Sequence, residues 1–427
     1  FSSRRRHTRW NCDWSSDVCS SDLRRAAVAL EALGYSPAQS VQDADLVVVN
    51  SCVVRQSAED KALGRLHALR SLRKQRPNLR IVLMGCLVGD PEELRARLPF
   101  VDLFVRPSDV EGLQAGVADL TPVPSPTGRG ESRVERLPQG QSPLPEGEGP
   151  GVRVPVSAEV IAMMGCDRHC TYCIVRLRRG PARSRPADDI VAEAQDLVRS
   201  GVREIVLLGQ NVDAYGRDLQ PPLTLAELLR RVHAIPGLLR VRFLTSHPAD
   251  LSDELIEAVA ALPQVCPHWE LPVQSGDDAI LRRMGRGHTA GDYVALVQRI
   301  RQRLPHASIA TDVIVGYPGE TDEQFQHTLD LIAAVRFEAV HVACYSPRPG
   351  TPAARLVDDV PPSEKERRRR AVEALQERIL TEANAALHGQ EVEVLVEDRQ
   401  RGKWRGRTSA NKLVFFSHEI GRASCRE

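Results

Sequence analysis

Val160-Ile161-Ala162-Met163-Met164-Gly165-Cys166-Asp167-Arg168-His169-Cys170-Thr171-Tyr172-Cys173 is an apolar run that ends in three cysteines spaced CxxxCxxC. The apolar part reads as a strand over Ala158 to Met163, with the cysteine loop directly after it. Three thiolates from one short loop can hold three corners of a four-iron cluster and leave the fourth iron open to a small molecule that receives an electron. Zinc is the rival occupant. It normally takes four closed ligands, with a second Cys or His pair a short way on, and here no Cys or His follows until His233. Unpaired core thiols, the other ordinary reading, rarely crowd three into eight residues beside Arg168 and His169.

Outward from this stretch one unit repeats: an apolar strand, a loop of special residues, an amphipathic helix. The further strands are Glu204 to Leu208, Val241 to Leu244, His268 to Val273, Ile309 to Val315 and Ala339 to Tyr345. Helices are expected near 188–200, 224–234, 252–262, 277–284, 290–304 and 321–335. Six such units over residues 156–388 predict an α/β fold, an open or partial (β/α)6 barrel whose chemistry gathers at the C-terminal strand ends. A doubly wound open sheet fits the alternation equally well but explains the loops less well. The strand ends read Gly209-Gln210-Asn211, Thr245-Ser246-His247-Pro248, Gln274-Ser275-Gly276 and Gly316 to Thr321. Glycine lets backbone approach a ligand, and amides and hydroxyls bind polar groups without charge. Gly209, Gln210, Asn211, Ser246, Gln274, Ser275 and Gly316 are therefore the candidate cofactor-binding residues. Glu320-Thr321 also reads as a turn and helix cap. No catalytic side chain is singled out.

Upstream, residues 23–120 alternate helices with short buried strands, Leu46 to Asn50 and Arg80 to Met84, as in a small α/β layer. Each strand runs into a cysteine, Cys52 and Cys86, and two thiols at equivalent strand ends point to a shared site. Cys266 and Cys344 lie in or beside apolar strands and read as inert core residues. Residues 121–155 are Pro, Gly, Ser and charge, a linker expected to be disordered. Downstream, Pro361 to Leu387 reads as a long helix whose Lys365 to Arg370 run is a solvated face. From Gly389 to residue 418 the period changes to that of strands. Lys403, Trp404, Arg405 and Arg407 there mix cations with an aromatic, a pattern suited to RNA contacts.

The chain carries a net charge of +1 with 26% charged residues, so it is neither a polyanion nor a general nucleic-acid magnet. Its ten cysteines are too sparse for a disulfide scaffold and fit a reducing cytoplasm. No apolar run has the length of a membrane span and no signal-peptide pattern opens the chain. Residues 1–22 and 419–427 share no pattern with the rest and read as translated sequencing adapter. Ser20-Ser21-Asp22-Leu23 and Glu419-Ile420-Gly421-Arg422 can be coded by reverse complements of one oligonucleotide. Both ends are accordingly left out of the fold reading, and Cys12, Cys19 and Cys425 carry no assigned role.

With these motifs in place, the sequence closely resembles the methylthiotransferase family of radical S-adenosylmethionine (SAM) enzymes, in particular its tRNA dimethylallyladenosine branch (MiaB type). The resemblance rests on NSCVVRQSAEDKALGRL, GCLVGDPEEL, MMGCDRHCTYCIV, LLGQNVDAYG, FLTSHP, LPVQSGDDAILRRMGRGHT, DVIVGYPGETDEQF and YSPRPGTPA, and runs from about Leu23 to Phe416. It implies a first methylthiotransferase domain truncated at its start, a radical SAM core and, from 389, part of a TRAM β-barrel. It implies that Cys166, Cys170 and Cys173 hold the SAM cluster, and that reductive cleavage of SAM yields a 5′-deoxyadenosyl radical. That radical would take hydrogen from carbon 2 of an adenine beside the tRNA anticodon. A second [4Fe-4S] cluster on Cys52, Cys86 and a third cysteine would deliver methylated sulfur. Partners so implied are tRNA and a reductant such as flavodoxin or ferredoxin, with a monomeric, cytoplasmic enzyme and no membrane. Two departures stand out. The third cysteine is missing, so the second cluster is expected to be poorly held, and Ala182 replaces the Glu of an RGxExSR pattern. Threonylcarbamoyladenosine or a ribosomal protein is the alternative substrate, and a zinc-bearing RNA-binding module the non-enzymatic alternative.

Overall fold

The structure is a computed structural model and describes residues 6–9, 17–38, 40–52, 56–89, 91–120, 155–400 and 402–417. The expected linker at 121–154, the stretch from 418 onward, Cys12 and Cys425 lie outside the described residues.

The first unit runs β1 (Arg6–Arg9), α1 (Asp17–Ala32), β2 (Tyr35–Pro37), β3 (Leu46–Ser51), α2 (Gln56–Gln75), β4 (Arg80–Gly85), α3 (Pro91–Arg97), β5 (Leu103–Val105) and α4 (Val110–Leu120). Its five strands are parallel in the order β2-β1-β3-β4-β5. A parallel strand is covered on both faces, which is why β3 and β4 are unbroken apolar runs. Val47, Val49, Ile81 and Leu83 fill one side of the sheet. Leu46, Val48, Val82 and Met84 fill the other. The stretch left out of the fold reading contributes here: β1 sits between β2 and β3, and α1 begins at Asp17.

The second unit comprises β6 (Ser157–Ile161), β7 (Met163–Met164), α5 (Val175–Arg179), β8 (Arg183–Ser184), α6 (Ala187–Arg199), β9 (Glu204–Leu208), α7 (Leu225–His233), β10 (Arg240–Leu244), α8 (Asp253–Ala261), β11 (His268–Glu270), α9 (Asp278–Met284), α10 (Ala290–Arg303), β12 (Ser308–Val315), α11 (Asp322–Val335), β13 (Ala339–Cys344) and α12 (Pro362–Ala385). Strands β6, β9 and β10 form one parallel trio and β11, β12 and β13 another. A bridge from Val241 to Val265 and the Ser246 amide on the Glu270 carbonyl (2.9 Å) join the trios into one open six-stranded barrel. Helices α7 to α11 start where the sequence supplies caps. Thr224, Thr289 and Thr321 each accept the amide three residues on, and the side chain of that residue returns the bond.

The third unit is a small antiparallel sheet of β14 (Leu395–Gln400), β15 (Lys403–Arg407) and β16 (Leu413–Phe416). It docks on the N-terminal ends of the barrel strands. Arg242, buried on β10, donates to Glu204 Oε2 (2.8 Å), Ser409 O (2.9 Å) and Thr408 O (2.7 Å). Ser308 Oγ donates to Ala410 O at 2.8 Å, and His268 joins Ser308 at 2.6 Å and Asn411 at 3.2 Å. Along α12, Arg367, Arg369 and Arg370 pair on the helix surface with Glu364 and Glu366. Lys365 and Arg368 depart from the expected solvated face. Both are buried, Lys365 against Asp358 (2.6 Å) and Arg368 against Glu320 (2.8 Å).

Candidate active site

The cysteine loop leaves β7 at Gly165 and is tied on three sides. Its Cys166 amide reaches Gly180 O (3.2 Å), and its Thr171 amide reaches Met284 O at the end of α9 (2.9 Å). Thr171 O in turn accepts from Ala353 N (2.9 Å). Gly285, with φ +70°, caps α9 in the left-handed region, and a Cβ there would stand 3.0 Å from His169 O. That glycine is what allows α9 to meet the loop so closely.

Each sulfur has a donor: Arg168 N to Cys166 Sγ (3.4 Å), Arg286 Nη1 to Cys170 Sγ (3.5 Å) and the Val175 amide to Cys173. Burial raises the Cys166 thiol and pushes Cys173 up to about 12, with the neighbouring thiols adding to it. Three clustered thiols with cationic and amide donors aimed at them suit a cluster that takes thiolates. Among the described residues no three His, Cys, Asp or Glu side chains gather as one metal ion would need. A four-iron cluster instead spreads its ligands over separate irons.

Arg168 is held by Asp250, which accepts its Nε at 2.7 Å as well as Arg217 Nη1 (2.7 Å) and Asn211 Nδ2 (2.6 Å). Burial works against that carboxylate, yet the three donors keep it down at about 2. The group lines a cavity of about 280 Å³ with Cys166, Asp218 and Ala182. Carboxylates are thus present around Ala182, although that side chain carries none.

The C-terminal strand ends hold buried polar atoms without partners among the described residues: both amide atoms of Gln210, Asn211 Oδ1, Gln274 Oε1, His247 Nε2, both ring nitrogens of His288, and Arg286 Nε. Unpaired buried polar groups are costly and rare, and a ligand that meets them is the usual reason they persist. Gln210, Asn211 and Gln274 thus fit a polar nucleoside cofactor. The other candidates are engaged within the chain. Ser246 Oγ donates to Asp213 (2.9 Å), Ser275 Oγ accepts the Asp277 amide (3.2 Å), and Gly209 lies against Met163. The Gly316 amide is taken by Glu320 at 2.6 Å and its α-carbon faces Lys365. Sequence reasoning singled out none of Arg286, His247, His288 or Asp250. Three of them lie inside the quoted motifs LPVQSGDDAILRRMGRGHT and FLTSHP, but nothing in residue type marks them as inward-facing.

Cys52 and Cys86 follow adjacent strands, paired Ser51 to Gly85, and are both buried. The loops of the two units meet here. Ile174, directly after Cys173, packs into the first unit's core beside Cys86, Leu87 and Val88. Arg348, from the loop after β13, is buried and pairs with Glu59 at 3.1 Å near Cys52. It also lines a cavity of about 140 Å³ with Tyr172, Cys173, Gln274 and Asp312. In the small sheet, Lys403 is exposed, Arg399 lies over the Trp404 ring, Arg405 pairs with Asp398 (2.6 Å) and Arg407 with Glu397 (3.3 Å).

Residues 160–332 match the Radical SAM superfamily, and residues 17–106 match the Uncharacterized protein family UPF0004. The chain is 47% identical over 419 residues to the tRNA-2-methylthio-N(6)-dimethylallyladenosine synthase of Roseiflexus sp. (strain RS-1), covering 97% of this chain and 84% of that one. It is 44% identical over 419 residues to the synthase of that name from Herpetosiphon aurantiacus, covering 97% of this chain and 91% of the other. Among solved structures it is similar to the radical S-adenosylmethionine methyltransferase TsrM from Kitasatospora setae, with a TM-score of 0.55 and 15% identity over 82% of this chain and 77% of that one. That last likeness is one of fold.

Proposed function

This chain belongs to the tRNA-2-methylthio-N(6)-dimethylallyladenosine synthase family, and on that premise we propose that it methylthiolates carbon 2 of dimethylallyladenosine beside the anticodon of tRNA. It is a radical SAM methylthiotransferase. A four-iron cluster with SAM supplies one-electron chemistry able to take hydrogen from an aromatic carbon, which acid–base side chains near neutral pH do not. Cys166, Cys170 and Cys173 would ligate that cluster, with Arg286 and the Arg168 amide steadying the charge on sulfur. Gln210, Asn211 and Gln274 would hold SAM through their unpaired amide atoms. Asp250 keeps Arg168, and with it the loop, in place.

The observation that carries this reading is a cavity with Cys173 on its wall, from which Arg348 reaches to Glu59 and the neighbourhood of Cys52. A base seated there would stand between a hydrogen-abstracting centre and a sulfur-delivering one. Cys52 and Cys86 would share a second cluster, held more weakly than the first for want of a third cysteine. Lys403, Trp404, Arg405 and Arg407 are proposed as RNA contacts, with Arg405 and Arg407 exchanging their present carboxylates for phosphates. The proposal places a monomer in the cytoplasm, reduced by a flavodoxin or ferredoxin. Among the described residues no helix is long and apolar enough to cross a membrane.

The test is iron and acid-labile sulfide content after anaerobic reconstitution, followed by mass spectrometry of nucleosides from hypomodified tRNA. A 2-methylthio product that needs SAM and reductant is expected. Zinc without iron, or iron with unchanged nucleosides, overturns the reading.

A further inference from the structure

We propose that the groove between the first unit and the barrel is the seat of the RNA backbone flanking the modified nucleotide, with Arg106, Arg178 and Arg183 as its phosphate contacts. The inference rests on the reading of tRNA as substrate and names how this chain would grip it. The groove encloses about 500 Å³. Its walls are the loops after β4 and β5 on one side, and Met164, α5 and β8 on the other.

Four arginines line it and one carboxylate, Asp109. They are not equivalent. Arg179 is already neutralised: it is buried, donates to Asp22 at 2.9 Å and to Ser108 at 3.1 Å, and so pins the two units together. Among the described residues Arg106, Arg178 and Arg183 have no carboxylate partner, and the Arg178 Nε is buried with no partner at all. Its guanidinium rests against Gly89, where a Cβ would stand 1.5 Å from Nη1. Asp109 is turned to its own helix, accepting the Gly112 amide at 2.9 Å. In a chain of net charge +1, three guanidinium groups around one groove, with no carboxylate partner among the described residues, are a local concentration of positive potential.

The groove also lies beside the chemistry. Met164 precedes Cys166 by two residues, and Gly180, on the groove wall, accepts the Cys166 amide. A base turned into the barrel leaves its own and its neighbours' phosphates outside, and sequence-tolerant cation contacts are how proteins track such a backbone. The cations come from both units, Arg106 from the first and Arg178 and Arg183 from the second. That spread suits consecutive phosphates better than one small anion.

The test titrates the reconstituted full chain with a fluorescent anticodon stem-loop RNA at several salt concentrations. Each lost phosphate contact lowers the slope of log affinity against log salt by roughly 0.7–0.9. Arg106→Gln with Arg183→Gln is expected to weaken binding about ten-fold at 0.1 M salt and to lower the slope by about 1.5. Arg106→Lys with Arg183→Lys, which keeps the charge, is expected to restore most of the slope and so separates contact from misfolding. Unchanged affinity and slope in the Gln pair overturn the proposal, as does equal loss in the Lys pair with native iron content. If the native chain binds a scrambled hairpin as well as the stem-loop, and the Gln pair loses both alike, the groove stands and the tRNA reading fails.

Discussion

The two ends of the barrel are both lined with buried polar side chains, and they differ in whether those side chains are satisfied. At the N-terminal end Arg242, Glu204, His268 and Ser308 spend their hydrogen bonds on one another and on the Thr408 to Asn411 turn of the small sheet. At the C-terminal end Gln210, Gln274, His247 and His288 keep atoms that nothing among the described residues meets. Burying a polar group is costly at either end unless a partner is found. One end finds it in its own chain and becomes a joint; the other leaves it open to the ligand proposed above.

If that contrast holds, the largest effect at the C-terminal end is functional and all-or-none. Cys170→Ala is expected to remove the reconstituted SAM cluster, about four irons per chain, with its reduced EPR signal. Retention of that signal would break the comparison at its centre. At the N-terminal end the largest effect is on folding. Arg242→Ala strands Glu204 without its ion pair inside the joint and takes the arginine donor from the Ser409 carbonyl. It is expected to cost about 3–5 kcal/mol in denaturant unfolding. A loss within 1 kcal/mol would mean that the joint is ornamental.

Acid sharpens the same contrast. His268 is buried and its pKa is lowered to about 3, first by burial and then by Arg242 and Arg407. The Ser308 hydroxyl donates to Ala410 O, so His268 Nδ1 is the donor to Ser308 and Nε2 the acceptor from the Asn411 amide. That neutral tautomer has no place for a second proton. The folded pKa lies below the unfolded value near 6.5, so the unfolded chain binds the extra proton first. The joint is therefore at full strength above about pH 6.5 and loses stability as pH falls, by about 2 kcal/mol at pH 5. Hydrogen exchange of residues 403–417 at pH 7 and 5, referred to the intrinsic rates, is the measurement. His268→Gln should flatten the difference.

Much of this was legible beforehand, for identifiable reasons. The barrel strands are apolar runs bounded by loops, so Glu204–Leu208 was located to the residue, and helices α7 to α11 begin at Thr, Ser or Asp caps. The cysteine spacing is local and needed no fold to read. What escaped was decided by tertiary contact. In Arg240-Val241-Arg242-Phe243 the arginines alternate as on a solvated strand face, yet both are buried, because a sheet more than 150 residues later covers them. Ser275 and Gly316 look like ligand residues by type and position but face Thr328 and Lys365. The strand at Arg6–Arg9 comes from a stretch set aside on coding grounds, which say nothing about whether a chain can pair.

The smallest effect is the most discriminating. Gln210 has both amide atoms buried and unpartnered among the described residues. Replacing it with leucine, of similar volume, removes a desolvated amide without removing any hydrogen bond. Gln210→Leu is therefore expected to stabilise the chain by about 1 kcal/mol in the absence of SAM. The same substitution should weaken SAM binding to the reconstituted protein about ten-fold by calorimetric titration, since the bound state is where the amide finds its partners. An N-terminal residue cannot behave this way: every polar substitution at the joint loses stability with or without SAM. Stability falling on Gln210→Leu, with SAM affinity intact, would place Gln210 among the structural side chains and erase the distinction between the two ends.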